Sequence, residues 1–358
     1  MSTPTVTPRT GWPRAIAVGV LGSIIVGIVV LAFLWPAKTS TPQNLPVSVS
    51  GPAAAVTALE DAVAANAPGT FDFIAADGRD DAVAQIEQRK TYGAIILPEA
   101  PGATPEVLTA PAASAAATQM LSQIAAQLQA QLTQAVTAAG GDPTTAVVTV
   151  TPIVPLADSD PTGAGLAAAS FPLTIGGMLG GVLIAFGVAG ALRRLAALAG
   201  FGAGVGLVLT LVLHTWFEFI PGDFWLNALA ISLSITATAA FIVGCSSLLG
   251  RAGLGIAVIV TMFIGNPLAA AATPWQFLPE PWGIIGQFLA PGASNALIRT
   301  VSYFPSADAS AQWWILIGWT ALGVILTIAG HYRSRVSGAA ARAEAPRLTA
   351  DDSALVGA

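Results

Sequence analysis

Charge is scarce in this chain, and the scarcity excludes more than it leaves. Of 358 residues, 9% are Asp, Glu, Lys or Arg and 54% are hydrophobic, with a mean hydropathy of +0.72. A water-soluble globular protein carries about 25% charged residues. One oversized core cannot absorb the difference, because cores stop growing at about 250–300 residues. Lysine is nearly missing: Lys38 and Lys90, preceded by Ala37 and Arg89, are the only two. The Gly-Lys-Ser/Thr of a P-loop is therefore not available. The two histidines, His214 and His331, fall at opposite ends of the apolar region, which excludes a two-histidine metal site. His214 and Glu218 are four residues apart, a spacing that suits an interface hydrogen bond better than an acid–base pair. The single cysteine, Cys245, rules out a disulfide framework, and inside an apolar run it is a packing residue. Basic residues are too scattered for a nucleic-acid footprint. Gly292-Ala293-Ser294-Asn295-Ala296 resembles a nucleophile elbow without its last glycine, but it lies in an apolar loop instead of following a strand. No catalytic site, metal site or cofactor site is expected, and the chain is not read as an enzyme.

What the chain has in quantity is long apolar runs. Residues 16–35 carry no charge and as a helix would reach about 30 Å, the thickness of the hydrocarbon. This run is longer than the apolar core of a signal peptide and is expected to be a retained anchor, transmembrane helix 1 over 15–35. Further spans are expected at 171–192, 195–217, 225–249, 252–272 and 312–330. The fold class is thus a mainly α membrane protein, with six transmembrane helices and an extracytoplasmic α/β domain between the first and second. Its expected parts are a tail at 1–14, the domain at 36–168, a five-helix bundle at 169–332 and a disordered tail at 333–358.

The basic residues set the direction. If the spans alternate, Arg9, Arg14, Arg193, Arg194, Arg251, Arg333, Arg335, Arg342 and Arg347 share one side, and 16 of the 19 acids lie on the other. By the positive-inside rule the basic side is cytoplasmic. Both termini are then cytoplasmic in a multi-pass protein of the plasma membrane. Tryptophans cluster at the expected boundaries, as indole prefers the headgroup level; Trp319 alone falls inside a span.

Within 36–168 polarity rises and strand and helix patterns alternate. Strands are expected at 45–50, 71–76, 92–98 and 146–155, and helices at 52–65, 80–90 and 112–139. Met120, Ile124, Leu128, Leu132 and Val136 form a helical stripe that suits packing on a sheet. In the spans, Gly176, Gly177, Gly180 and Gly181 form two interleaved small-xxx-small pairs, and Gly200, Gly202, Gly204 and Gly206 repeat the pattern; such pairs permit close helix contact in lipid, and Gly176, Gly180, Gly200 and Gly204 are expected to make it. Ser232, Ser234, Thr236, Thr238, Ser246 and Ser247 either pack between helices or line a polar path. The 273–311 loop is too apolar for open water and holds two half-length segments split by Pro291-Gly292. It is expected to re-enter the membrane as an outer gate formed with Asn266, Pro267, Pro279, Pro291 and Gly292. No span carries an ionisable residue in its interior, unlike most ion-coupled carriers, so energy for uphill movement would come from another chain.

Three features resemble a known family, the ABC-2-type exporter permeases, and within it the phage-infection-protein-like branch. The first is the layout of one anchor, a large outside domain and five further spans. The second is Asp80-Asp81-Ala82-Val83-Ala84-Gln85-Ile86-Glu87 followed by Tyr92-Gly93-Ala94-Ile95-Ile96-Leu97-Pro98. The third is Gly265-Asn266-Pro267, Leu278-Pro279 and Leu289-Ala290-Pro291-Gly292-Ala293, with Arg299 and Tyr303-Phe304. The resemblance implies a homodimer or pseudo-dimer that exports an amphiphile, polymer or drug, driven by a separate P-loop ATPase. That subunit would dock on the loop between spans 2 and 3, at Arg193 and Arg194. The alternative is a non-transporting envelope or secretion-associated protein whose outside domain binds a partner.

Overall fold

The computed structural model describes residues 11–100 and 103–344, with side chains described to residue 333. The chain is mainly helical, at 69%, with a five-stranded sheet near its start. Helix α1 (Trp12–Thr39) leads to β1 (Leu45–Ser50), α2 (Ala53–Asn66), β2 (Phe71–Ala75), α3 (Arg79–Glu87), β3 (Gly93–Ile96), β4 (Glu106–Thr109), α4 (Ala115–Ala138) and β5 (Thr149–Pro152). The remainder is α5 (Ala164–Gly187), α6 (Ala191–Thr210), α7 (Phe224–Leu249), α8 (Arg251–Val258), α9 (Trp282–Phe288), α10 (Ala290–Tyr303) and α11 (Ser310–Glu344).

The sheet runs β2-β1-β3-β4-β5, parallel throughout except for the antiparallel β3–β4 pair. Side chains alternate across a strand, and β1 uses both faces. Leu45, Val47 and Val49 join the core under α2 and α4, while Ser48 faces α3 and bonds Gln85 Oε1 at 2.8 Å and Thr91 Oγ1 at 2.9 Å. Ala82 and Ile86 of α3 pack on Ala94 and Leu108. The expected α4 stripe packs on the sheet through Met120, Ile124 and Leu128, beside the buried Ala117, Leu121 and Ala125. Gly93 is required here: a Cβ would lie 2.3 Å from Leu121 Cδ1 and 2.5 Å from the Leu108 carbonyl oxygen.

The one ion pair among the described residues ties α3 to β4. Arg79 Nε donates to Glu106 Oε2 at 2.7 Å, and Thr151 Oγ1 donates to Glu106 Oε1 at 2.6 Å. The Arg79 hydrogen bond holds the Glu106 carboxyl below the usual carboxylate range, against the opposing pull of partial burial. A depressed pKa adds stability above the ordinary carboxylate range, and that increment disappears as pH falls through the depressed value. Arg79 is 46% exposed, so solvent screening keeps the increment to about 0.5 kcal/mol. Glu106→Gln is expected to lower the melting midpoint slightly at pH 7 and to remove this acid-dependent part. An unchanged acid limb in circular-dichroism melts of the variant would refute the assignment.

Five helices are long and apolar enough to cross a membrane: Trp12–Thr39, Ala164–Gly187, Ala191–Trp216, Phe224–Leu249 and Ser310–Arg333. The expected span at 252–272 is not among them. Its helix, Arg251–Gly265, is shorter and ends in a π-helical turn, Ile259–Gly265. At about 1.5 Å per residue it reaches some 22 Å. Pro267 supplies no backbone donor to continue it, and Ala270 at φ 49° turns the chain away.

Other bounds move as well. α5 starts at Ala164, before the expected 171, because the buried Asp160 carboxylate accepts from Gly165 N and Leu166 N at 3.0 Å each and caps that end. α11 continues to Glu344, past the expected tail boundary at 333. Residues 345–358, including Arg347, and 1–10, including Arg9, lie outside the described residues, as do the side chains of Arg335 and Arg342.

α7 is the hub. Of its most apolar stretch 78% is buried, against 0% for α1. Its neighbours meet it through glycine. Gly177 and Gly181 of α5 face Thr238 and Ala239, Gly202 and Gly206 of α6 face Thr236 and Ser232, and Gly323 and Gly330 of α11 face Ala240 and Ser247. This corrects the expected packing set. Gly180 does meet a neighbour, Phe201, but Gly176, Gly200 and Gly204 have open space at the Cβ position. Adjacent residues point about 100° apart on a helix, so of the interleaved glycines in each helix it is Gly177 and Gly181, and Gly202 and Gly206, that face α7. The α7 hydroxyls at Ser232, Thr236 and Thr238 rest on those glycine flats, which is the packing alternative and not a lined path.

Candidate functional site

The α/β domain and the connection from Asn266 to Ala309 are joined by side chains from both directions. From the domain, α3 closes with Arg89 in the left-handed region, φ 57°. Arg89 N bonds Ile86 O and Lys90 N bonds Gln85 O, each at 2.9 Å. This is a helix-end geometry usually given to glycine, and an arginine there is uncommon. Its Nη1 donates to the Ala296 carbonyl at 3.1 Å and to Thr300 Oγ1, and the guanidinium lies 5.2 Å from the Phe304 ring centroid. Gln43 Nε2 donates to the Gln276 and Leu278 carbonyls at 3.0 and 2.9 Å, and Tyr92 Oη donates to Gln276 Oε1 at 3.2 Å. In return, Arg299 of α10 donates from Nη1 to Ala112 O at 2.7 Å and from Nη2 to Ala271 O at 3.1 Å.

Neither guanidinium has a carboxylate partner among the described residues. Burial pulls the Arg89 pKa below its usual value, partly offset by Tyr92; arginine still keeps its charge at neutral pH. The two cations repel each other, and Asp160 attracts Arg299. A cavity of about 410 Å³ opens beside Arg89, walled by the end of α3, by α9 and α10, and by the first turns of α11. Two buried polar atoms nearby lack a partner: Gln312 Oε1 on the cavity wall and Asn295 Nδ2 one turn from Arg299.

Trp319 explains how a seven-residue α9 can sit against α11. Its Nε1 donates to the Phe288 carbonyl at the end of α9, at 2.9 Å, and its ring meets Phe241 edge-on at 4.8 Å. Helix-end carbonyls need such donors where water is absent. At the other end of α9, Trp282 meets Trp35 of α1 at 6.0 Å.

The expected gate residues are mostly brought together. A Cβ on Gly265 would lie 3.1 Å from Pro291, one on Gly286 2.0 Å from Leu268 O, and one on Gly292 2.1 Å from Gly286 O. Asn266-Pro267 and Pro291-Gly292 thus belong to one close-packed crossing of three chain segments. Pro279 is not part of it; it sits near the Gln43 contact and its carbonyl accepts from Trp282 N at 2.8 Å.

The two arginines between α5 and α6 separate by role. Arg193 is exposed. Arg194 is spent inside the bundle, with Nε to Val188 O at 2.8 Å, Nη1 to Ser247 Oγ at 2.7 Å and Nη2 to Ala185 O at 2.8 Å. His214 engages Asn227 at 3.3 Å and not Glu218, and Ser294 Oγ bonds its own helix at Ala290 O. Sequence reasoning gave no site role to Arg89, Tyr92 or Gln276, although Tyr92 opens one of the quoted motifs. The one available signal was Arg299, alone in an otherwise apolar stretch; Arg89 lies among Glu87, Gln88 and Lys90 and gives none.

Comparison of the chain with protein-family models, curated proteins and solved structures gives no match.

Proposed function

We propose that the chain is the permease subunit of an ATP-driven exporter that moves an amphiphile, polymer or drug outward, with the ATPase on a separate polypeptide. In this reading the five long helices and the shorter Arg251–Gly265 helix make six crossings. The α/β domain and the Asn266–Ala309 connection lie outside, the termini lie in the cytoplasm, and the membrane is the plasma membrane. The observation that carries it is a helical bundle seated on the glycine flats around α7, with no Asp, Glu, Lys or Arg in the middle of any crossing. Such a bundle has no charged side chain with which to bind or relay a driving ion, which supports a reading in which an external motor drives its rearrangement. Gly19, Ser23 and Gly27 of α1 repeat at four-residue spacing with open space at both glycines; this supports a homodimer, since such a stripe suits close helix approach.

One observation favours the non-transporting envelope reading. The connection between α5 and α6 is three residues long, 188–190, and Arg194 is already occupied, which leaves Arg193 as the free cation at this turn. The two readings separate by experiment. Arg193→Glu is expected to weaken co-purification with an ATPase encoded beside the gene at least tenfold, at unchanged melting temperature. Arg194→Glu is expected to destabilise the bundle itself, by about 2–4 kcal/mol, because three acceptors lose a charged donor. Failure to find any ATP-dependent efflux in reconstituted vesicles, with the ATPase present, would overturn the exporter reading.

A further inference from the structure

The cavity beside Arg89 has two chemically distinct ends. At the polar end, Arg89, Lys90, Gln88 and Gln276 line the wall. Arg89 spends only Nη1 on the protein, on Ala296 O and Thr300 Oγ1. A guanidinium has five N–H donors, so Nε and Nη2 remain without a partner among the described residues. The wall carries one carboxylate, Asp308, and it is turned away to Ser310 N at 2.8 Å and Ser310 Oγ at 2.9 Å. Two cations against one anion leave this wall net positive. Gln312 Oε1 is buried with no donor, which is costly unless a ligand or water supplies one.

At the other end the lining is Ile284, Phe288, Ile315 and Trp275. Ile284 and Phe288 are 47% and 61% exposed and continue an apolar face of α9 that also shows Ile285 and Trp282. Trp282 meets Trp35, and Trp313 and Trp314 stand on the first turn of α11, Trp314 at 70% exposure. Indole rings gathered at one level mark the lipid–water boundary. The cavity therefore opens from a charged, partly unsatisfied wall onto a face suited to acyl chains. Its volume of about 410 Å³ lies within the usual range of about 300–1,000 Å³ for ligand sites.

We propose that this cavity binds one anionic membrane amphiphile, its phosphate or carboxylate held by the free Nε and Nη2 of Arg89 and its first methylenes laid along Ile284, Phe288 and Ile315. An anion here also offsets the repulsion between Arg89 and Arg299. A free anion would use only the polar end and a neutral hydrocarbon only the apolar one; the lining as a whole matches a molecule with both. The inference depends on the exporter reading only for the level at which it sets this junction relative to the bilayer.

The test uses the full chain purified in a neutral maltoside. Binding of dihexanoyl-phosphatidylglycerol below its micellar concentration is measured by calorimetry, beside dihexanoyl-phosphatidylcholine and inorganic phosphate. The anionic lipid is expected to bind at least tenfold more tightly than either, because a charge-assisted bidentate contact and apolar burial both contribute. Arg89→Gln is expected to erase the preference over phosphatidylcholine. Ile284→Trp fills the apolar end without touching the Arg89 contacts, and is expected to weaken the anionic lipid about tenfold while leaving phosphate unchanged. Equal binding of the two lipids, phosphate as tight as the lipid, or wild-type binding in both variants would each overturn the proposal. No lipid binding alongside intact ATP-driven efflux refutes this inference alone; binding without such efflux refutes the exporter reading alone.

Discussion

Gly323→Leu is expected to lower the melting midpoint of the purified protein by about 5–10 °C, corresponding to about 3 kcal/mol. A Cβ at Gly323 would stand 2.2 Å from the Ala240 carbonyl carbon and 2.3 Å from its oxygen, and Gly244 of α7 faces Gly323 in return. The obstacle is backbone, so no rotamer change can relieve it; α11 would have to back away from the hub helix along its length. In lipid there is no hydrophobic force to press the helices together again, since the tails solvate the exposed faces equally well. Gly318→Leu on the same helix is the control, because nothing lies within 4 Å of a Cβ there, and its cost is expected to stay within about 0.5 kcal/mol. Equal shifts in the two variants would mean that the α7–α11 contact is not what holds the bundle.

Arg299→Met is expected to uncouple the α/β domain from the Asn266–Ala309 connection. The arginine donates to Ala112 O and Ala271 O, and Ala113 O lies at 3.4 Å. Methionine keeps most of the volume and removes every donor, and a buried carbonyl left unpaired costs about 1–3 kcal/mol. Two stranded carbonyls put the loss at about 2–4 kcal/mol, concentrated at the junction. Hydrogen exchange should accelerate at least tenfold across 110–114 and 270–278, whereas the α7 amides should keep their protection. Uniform acceleration through the bundle would show that Arg299 supports the whole fold and not the junction.

Much of the architecture could be read from local pattern. The strand and helix alternation of the α/β domain emerges with its order intact, including β1 over 45–50 as found and β3 within the expected 92–98. The exception is β4: Glu106-Val107-Leu108-Thr109 is too short to announce itself, and it is a strand because β3 and β5 flank it. The long apolar helices were legible because hydrocarbon thickness sets a length that any window can measure. The 252–272 run forms a shorter helix than expected, Arg251–Gly265, for a non-local reason. Its apolar residues continue past Gly265, but the chain there joins the packed crossing with Leu268, Gly286 and Pro291 and does not extend the helix.

The candidate site was legible only in fragments. Arg299 and the proline-rich connection stood out, whereas the bonds that Arg89 and Tyr92 make to Ala296, Thr300 and Gln276 span 184 to 211 residues. Side-chain hydrogen bonds across such separations leave no periodic trace.

By itself the sequence determined the quantities that scale with composition and period: the position of the five long apolar helices, the spacing of basic and acidic residues along the chain, the presence of an α/β unit between the first helix and the rest, and the lack of Asp, Glu, Lys and Arg in the middle of those five helices. Only the tertiary structure decided which face each helix turns inward, that Gly177, Gly181, Gly202 and Gly206 and not their neighbours touch α7, that Arg194 is consumed within the bundle, and that Arg89 and Arg299 meet across one junction. The physical reason is the range of the interactions. Burial length and strand alternation are summed along the chain, while a 100° rotation of a helix or a guanidinium reaching a carbonyl 187 residues away is settled by contacts that no stretch of sequence contains.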